Sequence, residues 1–326
     1  MKKKIIIFVF DFDSNNIGYG HLVRSISLSN ELKKKKIKCF FLDIFNKYSQ
    51  HQIKGIKLNY LSIKNVYLLK KNYLPILLID SYKNLDKKIK KISIFFKSII
   101  LVDDFLKPNI SKADLLINYN LNIKKKDYDK KKFTNIFNGP EYLIFRKQLV
   151  NLQRRPIKDS VLISFGKGNL TTITVKLIKA ILKELEGDKK RYKIFFSHSK
   201  KEVLKKIKIN KKLDLNFLDK KNSFLKALSF VEFVITSPST TFLECCYLKI
   251  PTILFQTSKN QVHNFLYAKH HFLFFAYNNI NDFKKNIIKN ITYITSTSYL
   301  KRFSKLVNAM KISRKKNLLI KKIVNL

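Results

Sequence analysis

Histidine is scarce in this chain, with six in 326 residues, as is glycine, with seven, and the stretch "IGYGHLVRS" sets Gly18, Tyr19, Gly20 and His21 side by side. Glycines at 18 and 20 remove Cβ atoms, so the backbone there can approach a ligand closely or take positive φ. The apolar positions that follow, Leu22, Val23, Ile26 and Leu32, have helical spacing. That places His21 in the first turn of a helix, where free N–H groups and the helix dipole disfavour an imidazolium. A neutral imidazole at such a place can act as a general base toward a hydroxyl or water. A helix-start histidine that only bonds its own loop is the competing reading.

Other groups have chemical potential of lesser specificity. Asp103 and Asp104 end an apolar run, but neighbours on one strand point to opposite faces, so a turn or cap is the expected role rather than an acid and base pair. Gly18-Tyr19-Gly20 is not a dinucleotide fingerprint, because seven residues separate it from the preceding strand and Val23 stands where a small residue is needed. Cys39, Cys245 and Cys246 form no C-x-x-C pair, and His263, His270 and His271 lack a carboxylate or thiol beside them, so neither metal nor cofactor is expected.

The elements that must position these groups read as α/β. "KIIIFVF", "IKCFFLD", "PILLID", "SIILVD" and "DLLINY" are continuous apolar runs of the kind that form parallel strands covered on both faces, separated by lysine-edged helical patterns. Residues 121–160, with their charge blocks, "NGPEY" and "QRRPIKDS", have the composition of a linker. A second alternation follows from "SVLISF" through "YKIFF", "LNFL", "EFVIT", "PTILF" and "FLFFAY". Two doubly wound Rossmann-like domains, residues 1–155 and 156–326, are therefore expected to face each other across a cleft, with the last helix packing back on the first domain.

Two helix starts in the second half suit a diphosphate: Gly166 to Asn169, including Gly168, and the hydroxyl-rich Ser237, Ser239, Thr240 and Thr241. Ser and Thr there also serve as ordinary N-caps, and Thr241-x-x-Glu244 fits a capping box.

The formal charge of +45 is spread along the whole chain among Ile, Asn and Phe, without an aromatic or zinc-knuckle nucleic-acid motif, so no specific nucleic-acid partner is expected. "IIIFVF" is too short to span a membrane and no small-residue cleavage site follows it, which predicts a cytoplasmic protein.

"IGYGHLVRS", "LLIDSYK", "ILVDDFLKPNISKADLLINYN", "NGPEYLIFR", "LISFGKGN" and "SPSTTFLECCYLKIPTILFQTSKNQ" occur in the order and at roughly the spacings of one family. They resemble the UDP-2,4-diacetamido-2,4,6-trideoxy-β-L-altropyranose hydrolases of pseudaminic acid synthesis. The resemblance implies a GT-B fold and metal-independent release of UDP from a UDP-sugar, by attack of water at the anomeric carbon with inversion. It implies that His21 acts on the water, that Gly18, Tyr19, Gly20, Arg24, Tyr82, Asn120 and Tyr142 contact the sugar side, and that Glu244 holds the ribose. By the same matching Asn260 and Gln261 lie near the phosphates. The family's Arg-x-Asp before the loop falls on Phe10 and Phe12, whereas the carboxylates here are Asp11 and Asp13, a one-residue slip that exchanges the faces of a strand. A glycosyltransferase of the same fold, with His21 acting on an acceptor hydroxyl, is the nearest alternative, and a basic nucleotide- or RNA-binding protein without catalysis is the next.

Overall fold

The computed structural model describes residues 2–11, 20–42, 59–106, 108, 110–166, 170–207, 213–218 and 221–326. Gly18, Tyr19 and Gly168 lie outside them, as does Asp13. The chain divides into two compact units, one holding residues 2–11, Gly20–Arg146 and Ser313–Leu326, the other Lys147–Ile312.

The first unit is built on seven parallel strands: β1 (Lys3–Phe10), β2 (Lys38–Leu42), β3 (Asn59–Leu61), β4 (Tyr73–Asp80), β5 (Ser98–Val102), β6 (Ala113–Asn118) and β7 (Phe133–Asn138). Their order is β3-β2-β1-β4-β5-β6-β7, so the chain reverses its direction of winding between β1 and β4. Consecutive residues Ile5, Ile6, Ile7 and Phe8 are all wholly buried, which requires that both faces of β1 be covered. Helix α1 (Gly20–Lys34) covers part of one face through Leu22, Leu28 and Leu32 and ends on Lys33 and Lys34, which complement its dipole.

The second unit repeats the plan with β8 (Ile157–Ser164), β9 (Lys193–Phe196), β10 (Asp214–Phe217), β11 (Val231–Thr236), β12 (Thr252–Phe255) and β13 (Phe275–Tyr277). The order β10-β9-β8-β11-β12-β13 puts its reversal between β8 and β11. The α/β class expected from the apolar runs is the one observed, with both sheets parallel throughout the described pairs.

Residues 121–160 are not the linker that their composition suggests. They contain β7, a short 3-10 turn at Pro140–Tyr142 and the beginning of β8. β7 is an edge strand paired only with β6, so it needs no continuous apolar run; Asn135 and Asn138 donate their amides to the carbonyls of Asp114 and Ile123 at 3.0 and 2.7 Å. The C-terminal segment is tied to that same region. Ser313 N donates to Pro140 O at 2.9 Å, Lys315 N to Glu141 O at 2.8 Å, and Leu319, Ile320 and Ile323 of the helix Lys316–Asn325 are buried.

Candidate active site

In doubly wound sheets ligands bind beyond the carboxyl ends of the strands, where the winding reverses. In the first unit that position is defined by β1 and β4, whose last residues Phe10 and Asp80 are in register. Apolar runs here end in carboxylates, so parallel packing brings Asp11, Asp80, Asp103 and Asp104 to one edge of the sheet. All four are buried, and α1 delivers His21 and Arg24 to the same edge.

The pairing is dense. Asp80 Oδ1 lies 2.5 Å from His21 Nδ1, and Arg24 donates from Nε to Asp80 Oδ2 at 2.6 Å and from Nη2 to Oδ1 at 2.5 Å. The other edge of the guanidinium grips Asp104, with Nη1 to Oδ1 at 3.1 Å and Nη2 to Oδ2 at 2.8 Å. Tyr82 donates its hydroxyl to Asp104 Oδ2 at 2.9 Å and sets its ring edge-on to the imidazole, centroids 4.2 Å apart. Asp11 braces the turn that carries Tyr82: it accepts from Ser81 Oγ and Tyr82 N at 2.8 and 2.9 Å and pairs with Lys83 at 3.2 Å.

Burial alone would raise the Asp80 carboxyl, but Arg24 and His21 outweigh it and hold the group well below the usual carboxylate range. Burial would likewise lower Arg24, and Asp104 with Asp80 reverses that and keeps it charged. An ionised Asp80 can only accept, so the hydrogen on His21 Nδ1 must point at it. Arg24 Nη2 also stands 3.1 Å from Nδ1; with the ring hydrogen committed to Asp80 this is a contact between two donors, not a second hydrogen bond. Nε2 is buried and has no hydrogen-bond partner among the described residues. A neutral imidazole oriented through Nδ1 by a carboxylate carries its lone pair on the unpaired Nε2 and is equipped to take a proton there, and the imidazolium that results is stabilised by Asp80.

Of the residues expected on the sugar side, Arg24 and Tyr82 each adjoin His21 and share Asp104 as acceptor, and Asn120 adjoins them by donating from Nδ2 to Asp104 O at 3.2 Å. Gly20 opens α1 with free space where a Cβ would stand. Tyr142 is packed instead against Phe137, centroids 4.9 Å apart, beneath the Lys315 ammonium. Asp80 and Asp104 were not among the expected site residues. Asp103 does make the expected turn, accepting from Phe105 N at 3.1 Å, and takes the Tyr128 hydroxyl at 2.6 Å. Asp104 points elsewhere, into the cluster.

In the second unit Gly166 follows β8 at φ +90° with open space at its Cβ position. Ser237 and Ser239 follow β11, their hydroxyls 3.3 Å apart, and Ser239 is the N-cap of the helix Thr240–Tyr247. Thr241 is therefore already inside the helix, and Thr241 and Glu244 do not form the capping box that their spacing allows; Glu244 is buried in the helix interior. Gln261 is committed to its own loop, where Oε1 accepts from Thr257 N at 2.9 Å and Ser258 N at 3.3 Å. Asn260 accepts from Ser258 Oγ at 2.5 Å.

One buried histidine here was not anticipated. His198 follows β9, and burial pushes its imidazole down from 6.5 to about 4, against the opposing pull of Glu202. A depressed imidazole means that the unfolded chain binds the extra proton first, so stability is complete above pH 6.5 and declines as pH falls toward 4. Urea unfolding across that range should register a loss of roughly 3 kcal/mol from this group, absent in His198→Leu. A pH-independent difference between the two proteins would contradict it.

Among the described residues no group of three or more His, Cys, Asp or Glu side chains is placed to hold a metal ion. The three cysteines are free and buried, and burial pushes the Cys39 thiol up to about 12, so it is not a nucleophile. No helix of the described residues is long and apolar enough to cross a membrane.

Comparison with known proteins bears on the fold. No protein-family model matches the chain. It is 27% identical over 280 residues to the uncharacterized protein MJ1062 of Methanocaldococcus jannaschii, an overlap of 76% of this chain and 55% of that protein, so the chain spans about half the length of that relative. Among solved structures, MurG of Acinetobacter baumannii is similar with a TM-score of 0.69 at 9% identity, covering 99% of this chain and 100% of that one. The glycotransferase of kitacinnamycin is similar with a TM-score of 0.64 at 10% identity, covering 99% of each chain. The spinosyn rhamnosyltransferase SpnG complexed with thymidine diphosphate gives 0.59 at 11% identity, covering 97% of this chain and 100% of that one. The fold is of the GT-B type that the resemblance implies, and its two doubly wound Rossmann-like units are those expected from the strand pattern.

Proposed function

We propose that this protein is a glycosyl-transferring enzyme that uses a nucleoside-diphosphate sugar, with His21 as the base that activates the attacking hydroxyl. The observation that carries the reading is the buried imidazole whose Nδ1 is fixed on Asp80 and whose Nε2 is unpartnered. Nε2 takes the proton from an acceptor hydroxyl as its oxygen bonds to the anomeric carbon, the bond to the diphosphate breaks, and the nucleoside diphosphate leaves with that electron pair. The leaving group is good, so orientation and one base suffice. In this reading Arg24, Tyr82 and Asn120 shape the sugar side. Gly166, Ser237, Ser239 and Thr240 offer backbone and hydroxyl donors to the diphosphate, and Glu244 serves the ribose.

Similarity to the folds of the kitacinnamycin glycotransferase and the spinosyn rhamnosyltransferase supports transfer. A second reading is hydrolysis of a UDP-linked diacetamido-trideoxyhexose, with water in place of the acceptor; the ordered motif blocks from Ile17 to Gln261 favour it. UDP release from UDP-sugars, measured with and without candidate acceptor sugars, tests both. Release that depends on acceptor is the expected result for transfer, and equal release without it establishes hydrolysis. A folded protein that releases no nucleotide from any sugar donor under either condition overturns both.

A further inference from the structure

Among the described residues of the second unit three buried side-chain polar atoms lack a partner, Ser197 Oγ, His198 Nδ1 and Thr252 Oγ1, and the first two are neighbours. Both residues are more than nine-tenths buried, at 8% and 4% exposed. They sit on the carboxyl end of β9, and that end is held from both sides, since Ser197 N donates to Ile163 O of β8 at 3.2 Å and Leu218 N donates to Phe196 O at 2.9 Å. β8 is the strand at which the winding reverses, and two residues past its Ser164 lies the open, positive-φ Gly166. A buried hydroxyl and imidazole nitrogen left unsatisfied cost about 1 to 3 kcal/mol each, so an adjacent pair on a rigid strand end beside the reversal calls for an explanation.

We infer that Ser197 and His198 form a recognition pair for the nucleobase of the nucleoside diphosphate, a role that rests on the donor reading above. A neutral imidazole and a hydroxyl can each donate or accept, which matches the alternating carbonyl and imide groups on the edge of a base. The charge that acts on His198 is the Glu202 carboxylate, and an anion does not suit a phosphate subsite, so the polar edge of an uncharged heterocycle is the better complement. The low imidazole pKa keeps the ring uncharged at neutral pH, in keeping with that complement.

Titration calorimetry of the full chain with ADP, CDP, GDP, TDP, UDP and inorganic pyrophosphate tests the assignment. His198→Leu is expected to weaken the preferred nucleotide by about tenfold or more and to leave pyrophosphate unchanged, because a site built around hydrogen bonds discriminates through them. His198→Asn, whose amide can replace the Nδ1 group, should stay within about threefold of the parent, and Ser197→Ala should lose several-fold. The ligand-free His198→Leu protein should melt no lower than the parent, since an orphaned polar group has been replaced by hydrocarbon. Unchanged affinity of both His198→Leu and Ser197→Ala for the preferred nucleotide overturns the pair, and so does an equal loss on pyrophosphate. A parent protein that binds none of the five nucleotides overturns the donor reading itself.

Discussion

Replacement of His21 by Ala should lower turnover by about 10² to 10⁴ while the fold survives. The size follows from what the side chain is asked to do. Positioning of donor and acceptor and stabilisation of the departing diphosphate remain in the variant, and only the proton transfer is removed. The fold survives because the charges around the ring do not depend on it: Asp80 keeps both hydrogen bonds from Arg24, and Arg24 keeps Asp104. Initial rates of nucleotide release, read together with a melting curve of the same preparation, give the result. Parent-like turnover in the Ala variant would remove His21 from the chemistry.

Replacing Arg24 by Met is expected to have the larger effect on stability. Arg24 is the cation shared by two buried carboxylates, and its loss leaves Asp80 and Asp104 without the guanidinium that both of them accept from. Breaking a buried ion pair in this way costs about 3 to 5 kcal/mol, which corresponds to a melting temperature lower by on the order of 10 °C. The sign of the pH dependence separates this cause from a general packing defect. In the parent, Asp80 is held below its unfolded value, so the contribution of the pair is present above about pH 4 and is lost as pH falls from there toward the lower folded value. Without Arg24 burial dominates at Asp80, its folded carboxyl titrates above the unfolded one, and stability rises as pH falls from 7 toward 5. Urea unfolding at pH 5 and pH 7 should therefore favour the variant at the lower pH. A variant within 1 kcal/mol of the parent at both would show that the cluster carries little of the fold.

The partners of His21 were missed for a reason that also shows how they could have been found. Asp80 lies 59 residues from His21 and Asp104 lies 80 from Arg24, so no local spacing links them. Yet "PILLID" and "SIILVD" both end in aspartate, and in a parallel sheet every strand ends on the same edge, so recurrent terminal carboxylates announce a shared rim. The apolar runs marked the central strands because both faces of those strands are covered. β3, at three residues, and β7, an edge strand with asparagines in it, have no such signature. Thr241 and Glu244 misled in the opposite direction: their spacing fits a cap, but the N-cap is Ser239, two residues earlier. The unpartnered state of His198 has no sequence signal at all, because it depends on which segments distant in sequence pack beside one strand end.

The return of Ser313–Leu326 to the first unit sets an order on biosynthesis. A ribosome finishes the whole of Lys147–Ile312 before it makes the residues that complete the earlier unit, so the part translated first is the part closed last. A nascent chain stalled short of residue 313 would hold a finished second lobe beside a first lobe with an uncovered apolar seam, and that intermediate is where chaperone demand should concentrate.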